Sequence, residues 1–158
     1  MGKVIGYMVT WTTYGTWLQG SERGYVKDGE VRGASAKLKE ANKKAQKDRR
    51  FILTKENCEL VRKGILEEAG RLGQEVRAMA ISTTHIHIVV DAIDEPIETA
   101  VARYKRAGTK ALRKNGVRGT LWTRGFDKRF CFGAEELSAR IEYVNKHGNE
   151  LTPSRAGG

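Results

Sequence analysis

The chain has 158 residues, a length for one domain, and 39% of them are hydrophobic, enough for one compact core. It carries 29 Lys and Arg against 19 Asp and Glu, a net charge of +10, which favours a polyanionic partner: nucleic acid or an anionic membrane surface. No apolar run is long enough to span a bilayer, and the opening MGKVIGYMVTWTTYG lacks signal-peptide organisation and a myristoylation signal, so we expect a cytoplasmic, nucleoid-associated protein with no membrane partner.

Residues 4–12 (VIGYMVTWT) are β-branched and aromatic and read as a strand. Residues 13–50 hold many glycines and then the charged stretch KLKEANKKAQKDRR, and read as a long irregular insertion within a single 1–158 domain. Thr54 is an N-cap for a helix to about Leu72, with Cys58, Val61, Ile65, Ala69 and Leu72 on its apolar stripe and Gly73 ending it. EVRAMAIS (75–82) and HIHIVVD (85–91) read as an antiparallel hairpin turning at Thr83-Thr84. Pro96 opens a helix of about twenty residues with Ile97, Val101, Tyr104, Gly108 and Ala111 facing inward, stopped at Gly116. A short strand near 128–132 (KRFCF) precedes a helix over 134–147, and the tail LTPSRAGG frays. The order β-α-β-β-α-β-α predicts an α+β fold. It is a ferredoxin-like, RRM-like antiparallel sheet with helices packed on it and an added C-terminal helix carrying Tyr143. Cys58 and Cys131 lie far apart and outside any metal-ligand spacing; both read as small core residues without a disulfide.

The chain has three histidines. His85 and His87 stand one residue apart on a strand, so their imidazoles share a face and can share one divalent ion. The alternative is a pair of half-buried sheet histidines bonded to neighbours. In the last helix Glu136, Arg140, Tyr143 and His147 fall on one face, beside an apolar face of Leu137, Ile141 and Val144. Tyr143 therefore stands off the packing stripe next to a histidine and an arginine. Tyr104, in the basic helix ARYKRAGTKALRK, is the competing nucleophile, but it falls on that helix's apolar stripe.

TTHIHIVVDA resembles the His-hydrophobic-His motif of the HUH endonucleases. LWTRGFDKRFCFGAEELSARIEYVNKHG resembles the C-terminal part of single-tyrosine transposases, and WTTYGTWLQGSERGYV the start of the REP-associated tyrosine transposases. The chain departs from the REP-associated pattern at Asn145-Lys-His-Gly-Asn, where an Asn-Pro pair is common, and at Thr83-Thr84, where Pro-Asn is common.

The resemblance implies metal-dependent nicking and strand transfer of single-stranded DNA at hairpin-flanked sites, through a covalent 5′-phosphotyrosine. It implies His85 and His87 as ligands of Mg²⁺ or Mn²⁺, His147 as a further ligand one turn beyond the tyrosine, and Tyr143 as the nucleophile. It implies a monomer or a homodimer. Arg103, Lys105, Arg106, Lys110 and Arg113 would follow the DNA backbone, with Arg124, Lys128 and Arg129 nearer the tyrosine helix and Arg140 a DNA contact on that helix itself. Trp11, Trp17 and Trp122 offer stacking surfaces for unpaired bases, with core packing as the competing role. A non-catalytic or domesticated nucleic-acid-binding module of RRM-like fold is the alternative; its Lys/Arg-Gly-Phe-x-Phe sheet motif is only faintly echoed by KRFCF.

Overall fold

The computed structural model describes residues 2–16 and 50–151, with side chains up to 146. Seven elements follow one another: β1 (Gly6–Thr12), α1 (Lys55–Leu72), β2 (Val76–Ile81), β3 (His85–Asp91), α2 (Ile97–Lys114), β4 (Asp127–Cys131) and α3 (Ala134–Leu151). The expected insertion lies for the most part at 17–49, and with Trp17 it falls outside the described residues.

The sheet runs β2-β3-β1-β4 with every neighbour antiparallel. This is the split β-α-β arrangement that the element order predicts, and the fold is α+β, with a four-stranded antiparallel sheet and three helices among the described residues. Strand alternation gives the sheet two different faces. Val9, Trp11, Ile86, Ile88 and Val90 point to one side. There they bury against Val61, Ile65 and Ala69 of α1 and Ile97, Val101, Tyr104 and Leu112 of α2. Met8, Ala78, Ala80 and Val89 point to the other side, where α3 packs with Val144, Leu137 and Ile141. The two alanines let α3 approach closely. The sheet is thus sandwiched between the α1/α2 pair and α3.

Local signals explain the boundaries. Thr54 Oγ1 accepts the Asn57 N–H at 3.1 Å and starts α1. Gly73 ends it at φ 71°, with Gly73 N–H on Gly70 O and Gln74 N–H on Ala69 O, a paired closure that only a left-handed residue permits. In the β2–β3 turn the Ser82 hydroxyl accepts the backbone N–H groups of Thr84 and His85. That side chain holds the turn without any positive φ at Thr83 or Thr84. On α2 the buried stripe continues through Leu112, where Ala111 was expected; Ala111 is half-buried. The longer Leu reaches the core, whereas Ala111 sits against Gly64 at the α1–α2 crossing.

Candidate active site

The β1–β3 register pairs Thr12 with His85 and Thr10 with His87, and the β2–β3 register pairs Ala80 with His87. All of these side chains face α3. The two imidazoles stand edge to face, ring centroids 4.8 Å apart. His87 is buried and His85 half-buried. Each ring is held through Nδ1. His87 Nδ1 lies 2.8 Å from Thr10 Oγ1, and His85 Nδ1 lies 3.2 Å from Ser82 Oγ and 3.1 Å from Thr84 Oγ1. With a hydroxyl on Nδ1, Nε2 is the nitrogen each ring can offer a metal when the ring proton sits on Nδ1.

Tyr143 reaches this pair from above. Glu136 accepts the Phe132 N–H at 2.6 Å and Leu137 N–H bonds Gly133 O, which closes the first turn of α3. Leu137, Ile141 and Val144 then seat the helix on the sheet. Tyr143, one position before the fully buried Val144, keeps 45% of its surface exposed. Its ring stands 6.3 Å from that of His87, edge to face. The structure therefore brings His85, His87 and Tyr143 together.

His147 is one turn further along α3, but its side chain lies outside the described residues. Among the described residues no group of three or more His, Cys, Asp and Glu is placed to hold a metal ion. Two imidazoles with their Nδ1 atoms tethered suit two positions of a divalent ion's shell, so the donors present fit such an ion as a partial set.

Tyr104, the competing tyrosine, is fully buried on the opposite side of the sheet. Its hydroxyl donates to Gln74 Oε1, and Gln74 Nε2 donates to Asp91 O at 2.7 Å. Burial pushes its phenol well above the ordinary tyrosine range. This phenol cannot reach a substrate.

A model of the IS200-like transposases matches residues 44–147, about two thirds of the chain. The chain belongs to the IS200-like transposase family. Its fold is similar to that of a REP-associated tyrosine transposase bound to a REP hairpin, at 12% identity and TM-score 0.55, over 94% of this chain and 72% of that one. A candidate transposase from Deinococcus radiodurans R1 matches at 12% identity and TM-score 0.48, over 94% of this chain and 93% of that one. No curated protein sequence matches.

In this IS200-like transposase the cations named from the sequence divide between surfaces. Arg103, Arg106 and Lys110 belong to a cleft of about 350 Å³ between α1 and α2, on the side of the sheet away from the histidines. Lys63, Arg71 and Lys114 join them there, residues the sequence reading did not single out because they come from two helices whose pairing it left open. Arg103 is bound to Glu68, which also binds Arg71 at 2.7 Å. Arg113 donates to Val117 O at 3.2 Å.

Lys105 is turned inward, its Nζ donating to Thr123 O at 3.1 Å and Gly125 O at 2.7 Å, and burial lowers its pKa. It fixes the turn that carries exposed Arg124. Lys128 pairs with Glu98 and lies over the Phe130 ring, Arg129 binds Asp127 at 3.1 Å, and Arg140 is half-buried on α3. Trp11 is fully buried and meets half-buried Trp122 edge-on at 6.2 Å. The Trp122 indole N–H donates to Lys105 O and Thr109 Oγ1, so both rings are committed to packing.

The sequence reading also missed the hydroxyls that frame the histidines. Thr12 Oγ1 donates to Thr123 Oγ1 at 2.9 Å, and Thr123 Oγ1 donates in turn to Thr13 O at 2.8 Å. With Thr10, Ser82 and Thr84 they form a threonine- and serine-rich floor. The signal was the repeated hydroxyl in TWTTYGT and STT, which becomes meaningful only once β1 is laid beside β3.

Proposed function

We propose that this transposase nicks and rejoins single-stranded DNA next to a hairpin through a covalent tyrosine link, with Tyr143 as nucleophile and His85 and His87 as metal ligands. The observation that carries the reading is the exposed Tyr143 phenol facing the tethered His87 ring at 6.3 Å. The solved structure of similar fold that is bound to a REP hairpin supports hairpin DNA as the substrate class.

Tyr143 Oη attacks the scissile phosphorus and loses its proton to solvent or a nearby base. The Oη–P bond forms as the P–O3′ bond breaks, and the departing 3′ oxygen takes up a proton. The DNA is left with a free 3′-OH and a 5′-phosphate on Tyr143. The phosphodiester energy is kept in the new link, so attack by another 3′-OH reverses the step and joins new ends without ATP. A divalent Mg²⁺ or Mn²⁺ ion held by His85, His87 and His147 would supply charge neutralisation at the phosphate. The hydroxyls on Nδ1 keep both rings in place for that role. Exposed Arg124 and half-buried Arg140 would meet the DNA backbone near the tyrosine. The whole 1–158 chain acts as one nuclease domain, as a monomer or a homodimer.

The reading is tested by incubating the protein with end-labelled hairpin single-stranded DNA and Mn²⁺. A denaturant-resistant protein–DNA adduct is expected from the wild type and absent from Tyr143→Phe. An adduct that persists in that variant removes Tyr143 from the chemistry. A binding-only module would give none from either; exposed Phe130 and Phe132 are the feature favouring it, but Phe130 lies on the edge strand β4 and Phe132 just beyond its end, outside the sheet centre where stacking motifs work.

A further inference from the structure

We propose that Thr10 is a positioning residue that locks His87 in its Nδ1–H tautomer and so turns the Nε2 lone pair toward the metal; the inference rests on the metal reading given above. Thr10 lies directly beside His87 in the β1–β3 register, with Oγ1 2.8 Å from Nδ1. Thr10 is 3% exposed and His87 6%, so water does not compete for this bond. A hydroxyl beside an imidazole nitrogen has two solutions. Either Nδ1–H donates to Oγ1, or Oγ1–H donates to Nδ1 and the ring proton moves to Nε2. Only the first leaves a lone pair on Nε2 for an ion.

The neighbouring strand chooses between them. On its other side Thr10 is register partner to Asp127 of β4, and the two side chains share the face that carries the histidines. Asp127 Oδ2 is held by Arg129 at 3.1 Å and makes no hydrogen bond to Thr10; the carboxylate, an acceptor and never a donor, acts on the threonine hydroxyl through its field, which favours an O–H turned toward β4. Oγ1 then turns its lone pairs to His87. Thr10 is β-branched, so the strand holds its hydroxyl in one orientation. The row His87–Thr10–Asp127 therefore orders a proton arrangement across three strands. The sequence gives no hint of it, because the three residues come from separate segments.

The tautomer is read directly in metal-free, ¹⁵N-labelled protein by long-range ¹H–¹⁵N correlation, at a pH where imidazole is neutral. His87 is assigned by difference with His87→Gln. The wild type is expected to show the proton on Nδ1. Thr10→Val keeps the shape and removes the hydroxyl. It should lose this preference at His87 while leaving His85 unchanged, and weaken Mn²⁺ binding by calorimetry about tenfold. Thr10→Ser should restore both. Asp127→Asn should shift His87 toward the Nε2–H form with Thr10 still in place. A wild-type His87 protonated on Nε2, or a Thr10→Val protein with unchanged tautomer and Mn²⁺ affinity, overturns the proposal. If the wild type binds no Mn²⁺ at all, the metal reading fails, and the tautomer spectra still decide what Thr10 does.

Discussion

The rings of His87 and Tyr143 meet edge to face, centroids 6.3 Å apart, although one belongs to the centre of the sheet and the other to the last helix. The contact exists because β3 is a central strand and α3 crosses the face that the histidines share. Nothing in the α1/α2 layer touches it. The proposed chemistry and the larger core cluster therefore lie on opposite faces of one sheet, and substitutions should separate them.

The two tyrosines test this separation. Tyr143→Phe keeps the ring of a side chain that is 45% exposed, so its unfolding midpoint in urea should stay close to the wild type while adduct formation disappears. Tyr104→Phe leaves the Gln74 acceptor buried without its donor, at a cost of about 1–3 kcal/mol, and should lower the midpoint while adduct formation persists under native conditions. An adduct lost in Tyr104→Phe with stability unchanged would reverse the assignment.

Much of the architecture was legible before the fold was seen, because each boundary has a local cause. Thr54 and Gly73 cap α1 through their own side chain and backbone conformation, and the alternation in HIHIVVD fixes which residues share a face. The face to which each helix goes was not legible. Both faces of β1 are apolar where it matters, Val9 and Trp11 on one and Met8 on the other, so the strand pattern does not say where α3 docks. The His pair and Tyr143 could be named individually, but their meeting depends on that docking. The same gap hid Thr10 and left open which surface the α2 cations occupy; Arg103, Arg106 and Lys110 line the one opposite the histidines.

Alkaline pH should weaken the fold through Cys58. Burial pushes its thiol from 9.0 up to about 11, with Sγ donating to Ser82 O. Between those values the unfolded chain has released the proton and the folded chain has kept it. Unfolding is then favoured by rising pH: the contribution is intact below about pH 9 and is lost as pH climbs through 11. Tyr104, also raised by burial, acts in the same direction above the ordinary tyrosine range. Urea midpoints measured against pH should fall less steeply in Cys58→Ala than in the wild type, and alkylation of the native thiol should be slow until the same alkaline range. Equal slopes for the two proteins would mean the thiol is not protected.

Gly6 controls how closely α3 sits. A Cβ there would lie 2.9 Å from Val90 O and 3.0 Å from Leu137 Cδ1, pressed between the β3 backbone and the helix. Val90 O is backbone, so Gly6→Ala must shift β1 against β3, and the Leu137 side chain that seats α3 above it must give as well. The expected cost is about 1–3 kcal/mol. Because the same helix carries Tyr143, adduct formation should slow even at temperatures where the variant is fully folded. A Gly6→Ala protein destabilised but unaltered in adduct rate would show that Tyr143 tolerates movement of its helix.

The cleft between α1 and α2 makes the most direct claim about DNA. Its floor is low because Gly64 lets the helices close, with Ala107 O only 3.1 Å from where a Cβ would be. Lys63, Arg106, Lys110 and Lys114 rim it, against Glu67, while Arg71 and Arg103 are engaged by Glu68. A phosphate backbone lying here is on the far side of the sheet from Tyr143, so it belongs to a different part of the DNA from the scissile phosphate. Replacing Arg106 or Lys110 by Gln should therefore weaken hairpin binding and reduce the slope of log affinity against log salt by about 1 per residue. The rate of adduct formation at saturating DNA should stay the same. Arg124→Gln, at the turn fixed by Lys105, should instead lower the saturated rate. If the cleft variants slow the chemistry at saturation and leave the salt slope unchanged, the cations of α2 are not a backbone grip.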